Sequence, residues 1–164
     1  MQVECWKSME KKLERNAREF LMEAYGIELK IPVVINPRLK KVYGRFRYYK
    51  NRKESIRIEM SKNYIMYQDW KTIYETLIHE CIHHALYELD KPFLDGDLYF
   101  ENELKKHGSH STGTVAYKGK VVEYICTGCN RISRVKRRYP RNGAGYVCGR
   151  CESPIKFHGE KILV

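Results

Sequence analysis

The sequence predicts an α+β fold in two parts, a core of helices around a small sheet followed by a small β domain built on four cysteines. Three observations carry this. Apolar residues recur at helical spacing in three separate stretches, and between the first two of these they follow the two-residue period of strands. Beyond about residue 114 the helical period gives way to short strands, turns and two C-x2-C pairs. With 164 residues the chain can bury one main core plus an appendage, and 43% hydrophobic with 31% charged residues excludes a disordered polypeptide. No apolar run approaches the roughly 20 residues of a membrane span. The N-terminus, MQVECWKSMEKKLER, lacks the apolar centre of a secretory signal, so a cytoplasmic location without a membrane partner is expected.

The first helix is expected from about Trp6 to Tyr25. There Trp6, Met9, Leu13, Phe20, Leu21 and Ala24 repeat at helical spacing with Lys and Glu between them, and Gly26 is a natural stop. IELKIPVVIN is short and β-branched and ends at Asn36-Pro37. KVYGRFRYYK and ESIRIEMS read as two further strands joined by Asn51-Arg52-Lys53, and together these strands are expected to form a small antiparallel sheet. Ile56, Ile58 and Met60 alternate with Arg57 and Glu59, the pattern of a half-buried strand. From Asp69 to about Glu88 the period is again helical, through Trp70, Ile73, Tyr74, Leu77, Ile78, Cys81, Ile82 and Leu86, with Asp69 as N-cap. LDKPFLDGD breaks this helix, and LYFENELKKHG forms another that Gly108 stops. A boundary falls near residues 112–114, giving domains 1–113 and 114–164. No internal repeat or low-complexity tract is present.

The second helical stretch holds TLIHECIHHAL. On a helix, residues i and i+4 share a face, so His79 and His83 can direct their imidazoles at one ion. Zinc accepts nitrogen ligands at about 2.0–2.1 Å, which suits two histidines one turn apart. Glu80 stands beside the first of them, able to take a proton from a water polarised by the metal and to return it to a leaving amine. This is the His-Glu-x-x-His arrangement of metallopeptidases. The competing reading is a helix whose histidines merely face solvent or neighbours. His84 points about 100° away from His83 and is expected off the metal, behind it or at the surface.

Cys126-Thr127-Gly128-Cys129 and Cys148-Gly149-Arg150-Cys151 are separated by 18 residues, the spacing of a zinc ribbon. Four thiolates close a tetrahedral structural site with no open position, and its role is to fold a segment too small for its own core. Two disulfides would be the alternative, but Cys5 and Cys81 read as free thiols and nothing suggests export. The cofactors expected are therefore two Zn2+ ions, one catalytic and one structural.

The net charge of +11 is concentrated at the end of the chain. From Val115 onward, 11 Lys and Arg stand against three Glu, which favours anionic partners. Between the cysteine pairs, Arg131, Arg134, Lys136, Arg137, Arg138 and Arg141 interleave with Ile132, Val135 and Tyr139. That is the composition of a cationic hairpin, with Tyr139 and Tyr146 available to stack on bases. Four thiolates on one Zn2+ would remove about two units of this charge and leave the ribbon basic. Arg134, Lys136, Arg137, Arg138 and Arg141 are thus candidate nucleic-acid contacts; the bland alternative is a solvated face or a ribbon that docks protein.

The order of N-terminal helix, short strands, HExxH helix, short helix and basic zinc ribbon resembles the SprT-like family, which includes the Spartan-type proteases. IRIEMS, LIHECIHHAL, DGDLYFENELKKHG and the paired cysteines carry the resemblance, over most of the chain from about residue 50 onward. The resemblance implies a zincin-like metallopeptidase core, with His79 and His83 as ligands and Glu80 as general base. It also implies protein substrates bound to or crosslinked on DNA, and cleavage that DNA stimulates.

One departure stands out. The family's third ligand is usually a histidine in the loop about a dozen residues past HExxH, and here that loop has none. Asp95 and Asp97 are the nearby carboxylates. Asp97 directly precedes the next helix and competes as its N-cap, which favours Asp95; His110 in GSHSTGT is a third candidate. The missing histidine also keeps open a second function, a nucleic-acid-binding zinc-ribbon protein whose HExxH site is structural or inactive.

Overall fold

The computed structural model describes residues 2–111 and 115–164. They form two compact units, Met1–Ala116 and Tyr117–Val164. The boundary expected at residues 112–114 lies outside the described residues.

In the first unit, helix α1 (Gln2–Tyr25) buries Leu13, Ala17 and Leu21 completely, the apolar face that the periodicity predicts. Strands β1 (Val33–Asn36), β2 (Gly44–Tyr49) and β3 (Glu54–Ser61) follow, in the spatial order β1-β3-β2. The expectation of an antiparallel sheet needs correction: β2 and β3 form an antiparallel hairpin, but β1 runs parallel to β3. The reason lies in the side chains. Pairing Val33 with Ile58 and Ile35 with Met60 extends the apolar inner row of β3, and the hairpin from β2, on the other edge, returns the chain as β3 in the direction of β1.

A short helix that the sequence pattern did not reveal, α2 (Lys62–Tyr67), starts directly from β3. Ser61 caps it, accepting from the Tyr64 N–H, while its own hydroxyl donates to the Leu39 carbonyl at 2.7 Å. Helix α3 (Trp70–Glu88) begins where expected, with the Asp69 carboxylate accepting from the Thr72 N–H at 2.9 Å. It is buried continuously from Leu77 to Leu86 because it runs between two apolar clusters. Leu77, Cys81 and Ala85 pack with α1 and the sheet, in a cluster that includes Leu13, Ala17, Ile58 and Met60. Ile78, Ile82 and Leu86 pack instead with Phe100 and Leu104 of α4 (Leu98–Lys106). A helix with apolar neighbours on both flanks has little surface left for polar residues, and His79, Glu80 and His83 occupy it.

In the second unit, β4 (Gly119–Cys126) is the central strand. β5 (Ile132–Val135) and β6 (Ile155–Leu163) flank it, both antiparallel. Tyr124 is fully buried at its centre. Beside it, Arg141, Asn142 and Gly143 take successive positive φ angles of 48°, 54° and 88°. Only glycine fits the last position, since a Cβ there would lie 2.8 Å from the Tyr124 ring. Among the described residues no helix is long and apolar enough to cross a membrane.

Removing the cap of α3 should be felt through the whole first unit. Asp69→Ala is expected to lower its unfolding free energy by about 1 kcal/mol, read by urea denaturation with an unchanged m-value.

Candidate metal centres

His79 and His83 lie one turn apart on α3, and their side chains converge. Their Nε2 atoms are 3.1 Å apart, and Asp95 Oδ1 lies 3.2 Å from the first and 3.6 Å from the second. Each ring is held from behind by a main-chain carbonyl. His79 Nδ1 is 2.9 Å from the His110 carbonyl oxygen, and His83 Nδ1 meets that of Phe93. A carbonyl can only accept, so both Nδ1 atoms carry a proton, and the neutral rings turn their Nε2 lone pairs toward Asp95. Two ring nitrogens and a carboxylate oxygen therefore face one another closely enough to share one cation. The spacing suits one: donors on a tetrahedral ion with bonds of about 2.0–2.1 Å sit roughly 3.3 Å apart. His79, His83 and Asp95 can together hold a metal ion, consistent with zinc.

The electrostatics favour positive charge at this point. Burial pushes the His79 imidazole toward the neutral form, but the Asp95 carboxylate, Glu80 and the His110 carbonyl outweigh it and raise its pKa. Phe100 of α4 stacks on His83 at 4.1 Å and meets His79 edge-on at 5.2 Å, which fixes both ring planes.

Glu80 is buried beside the two histidines, and burial raises its carboxyl pKa above the ordinary range. Its Oε2 accepts from the Phe46 N–H of β2 at 2.7 Å. Its other oxygen lies against Gly44, where a Cβ would approach Oε1 to 2.7 Å. The first residues of β2 thus orient this carboxylate with a backbone donor and with the absence of a side chain. Neither contact was evident from the motif, although a glycine inside a strand pattern is itself a sign of close approach.

The remaining candidates sit elsewhere. The Asp97 carboxylate accepts from the Leu94 N–H at 2.9 Å and makes no capping bond to α4, though it occupies the N-cap position. The imidazole of His110 pairs with Glu75 Oε2 at 2.8 Å, so His110 reaches the site through its carbonyl and not its ring. His84 is buried rather than at the surface, with Nδ1 3.1 Å from Ser55 Oγ and its ring against Phe46.

In the second unit Cys126, Cys129, Cys148 and Cys151 form another group able to hold a metal ion. All are free thiols, so no disulfide competes. Cys126 and Cys151 sulfurs are 3.4 Å apart and those of Cys129 and Cys148 are 3.8 Å apart, whereas donors at zinc–sulfur bonds of about 2.3 Å would lie roughly 3.8 Å apart. The Gly128 and Cys129 N–H groups point at Cys126 Sγ, and the Arg150 N–H points at Cys148 Sγ, each at 3.4 Å. Such donors favour thiolates. The Cys151 thiol is drawn down to about 6 by the Ser153 backbone and side chain.

The basic residues of this unit are exposed but not all unengaged. Arg134 pairs with Glu123 at 2.8 Å, and Arg138 pairs with Glu160 at 3.1 Å and lies over the Phe157 ring. Lys136 lies over the Tyr117 ring. Arg137 and Arg141 are exposed. Tyr139 is less available than its spacing suggests, because it packs on Tyr124 and stacks on Tyr146 at 4.3 Å; Tyr146, 41% exposed, ends the stack.

The sequence profile of the SprT-like family matches residues 6–109. A protein described as "Protein SprT-like" from Geobacillus kaustophilus (strain HTA426) is 28% identical over 154 residues, covering 90% of this chain and 98% of that protein. One of the same description from Bacillus cereus (strain G9842) is 24% identical over 151 residues, covering 90% and 95%. No solved structure gives a significant match.

Metal analysis separates the two groups. The full chain dialysed after Zn2+ loading is expected to retain two equivalents by elemental analysis. The Cys126→Ser/Cys129→Ser and His79→Ala/His83→Ala variants should each retain one. His110→Ala should retain both, because that residue contributes a main-chain carbonyl.

Proposed function

The chain belongs to the SprT-like family, and from that premise we propose that it is a zinc-dependent endopeptidase with a zincin-like core, acting in the cytoplasm on proteins bound to or crosslinked on DNA. The observation that carries the reading is the pair of histidine lone pairs and one carboxylate oxygen turned toward each other beside an oriented, buried glutamate. His79, His83 and Asp95 would hold the catalytic ion, and Cys126, Cys129, Cys148 and Cys151 the structural one. When bound, the catalytic zinc supplies a Lewis acid that brings the ionisation of water near neutral pH.

The chain's own residues do the rest. The Phe46 N–H fixes Glu80 Oε2, which leaves Oε1 as the oxygen that takes a proton from the attacking water and passes it to the departing amine. The missing side chain at Gly44 leaves room for that oxygen to lie where it does. Burial, by raising the proton affinity of Glu80, suits a group that must hold a proton between two transfers. The carbonyls of His110 and Phe93 keep both histidines in the tautomer whose Nε2 can donate a lone pair, as supporting groups behind metal ligands do elsewhere.

The basic second unit fits the role of tether to DNA. Arg137 and Arg141, with the exposed Tyr146, are its best contacts. Arg134, Lys136 and Arg138 would contribute positive field while held by local partners.

Glu80→Gln is expected to reduce cleavage of a basic DNA-bound protein by about 10²–10⁴-fold while zinc content and melting temperature are retained. Gly44→Ala should also lower the rate by displacing the carboxylate, with zinc content unchanged. If Glu80→Gln leaves every proteolytic activity intact, the chain is instead a nucleic-acid-binding zinc-ribbon protein with a structural or inactive HExxH site.

A further inference from the structure

The sheet of the first unit has two unlike faces. Val33, Phe46, Ile58 and Met60 look into the core. On the opposite face, Arg45 stands across from Glu59 and Arg47 across from Arg57. Glu59 has no exposed surface although no apolar cluster covers it, because arginine side chains close over it. Arg45 reaches its Oε2 at 2.6 Å, Arg57 its Oε1 at 2.7 Å and Arg47 its Oε1 at 3.7 Å, and Asn36 adds a bond at 3.3 Å. Arg38, exposed just past β1, joins Asn36, Pro37, Arg57 and Glu59 along an open groove of ≈ 350 Å³.

Three guanidiniums, those of Arg45, Arg47 and Arg57, thus surround one carboxylate, and Arg38 stands on the adjoining groove. A guanidinium carries five N–H donors, while a carboxylate offers about four acceptor sites in all. A single well-placed arginine would satisfy Glu59, so most of the donors here are surplus to it. The side chains of Arg45, Arg47 and Arg57 remain 47%, 43% and 39% exposed, so those donors meet solvent. The shared carboxylate nevertheless holds the guanidiniums in place, and an incoming anion therefore meets forks that are already ordered. Burial opposes ionisation of Glu59, but its bonds to Arg45, Arg57 and Asn36 prevail and hold its pKa below the ordinary range, so the charged centre is permanent. Arg45 and Arg47 are also spaced along a strand, about 6.8 Å apart. Arg38 and Arg57 face the groove while Arg45 and Arg47 line the neighbouring strand, an extended set of donors that suits a chain of phosphates better than one small anion.

We propose that this arginine face is a second contact surface for the phosphodiester backbone of nucleic acid, carried by the first unit and independent of the zinc ribbon. It reads no sequence, since guanidiniums on phosphates carry no base information.

The test uses the full chain and a labelled single-stranded oligonucleotide, with binding followed by fluorescence anisotropy over a range of salt. Arg38→Gln/Arg47→Gln is the informative variant, because Glu59 keeps its two short bonds to Arg45 and Arg57 and stays paired. It is made both alone and together with Arg137→Gln/Arg141→Gln in the ribbon. The expected result is a several-fold loss of affinity, with the slope of log K against log salt flattened by about 1.4, or roughly 0.7 for each of two lost phosphate contacts. The loss should appear in both backgrounds, with the circular dichroism spectrum and melting temperature unchanged. Unchanged affinity and slope in both backgrounds overturn the proposal. If only the ribbon substitutions weaken binding, this surface is refuted and the ribbon reading stands; if only Arg38→Gln/Arg47→Gln does, the reverse holds. An effect confined to inorganic phosphate, seen as altered thermal protection, also overturns it.

Discussion

Helix α3 is enclosed by apolar residues on two flanks, and four of its buried residues are polar. Burying such groups without partners would cost several kcal/mol in total, and each of the four side chains finds at least one, although His84 Nε2 has none. His79 finds the His110 carbonyl, Glu80 the Phe46 N–H, His83 the Phe93 carbonyl and His84 the Ser55 hydroxyl. Those partners come from four different segments: the stretch after α4, the edge strand β2, the loop before α4, and β3. The polar side of one helix therefore dictates where much of the first unit must pass. The sheet edge and both flanking loops are arranged around it.

The two candidate metal groups differ in a way that follows from their ligands. Four sulfurs in two tight knuckles leave no position vacant, and the fold of the second unit is gathered around them. The histidine group offers three donors, one of them from a half-exposed aspartate. Three donors on a tetrahedral ion would leave its fourth position unfilled by this group. A carboxylate in the third position also neutralises part of the ion's charge, which two histidines alone would not.

Periodicity and composition reveal much of the architecture. The three longer helices, the strands and the Asp69 cap follow from apolar spacing and one turn residue, because burial on one face writes itself into the sequence. The HExxH spacing and the paired cysteines bring out the ligands in the same way, since i,i+4 geometry and tight knuckles are local. What stays hidden is not local. The parallel placement of β1 depends on which edge of β3 completes an apolar row, and α2 is too short to show a period. Gly44 and the Phe46 N–H serve Glu80 from 36 and 34 positions away, and a backbone N–H has no sequence signature. The arginine face escaped for a related reason. Arg45, Arg47 and Arg57 are scattered through an ordinary mixture of charges, and only strand register collects them around Glu59.

The carbonyls behind His79 and His83 have an implication for how this site can change over evolutionary time. Neither support depends on the identity of a side chain, since every residue type offers the same carbonyl. Point substitutions at Phe93 or His110 therefore leave the tautomers of both histidines defined, provided the main chain keeps its path. Insertions and deletions are different. One residue gained or lost between Leu89 and Asp97, or between α4 and Ser111, would carry a carbonyl out of register with its ring. Apart from Asp95, these two segments should therefore drift in composition while holding their length.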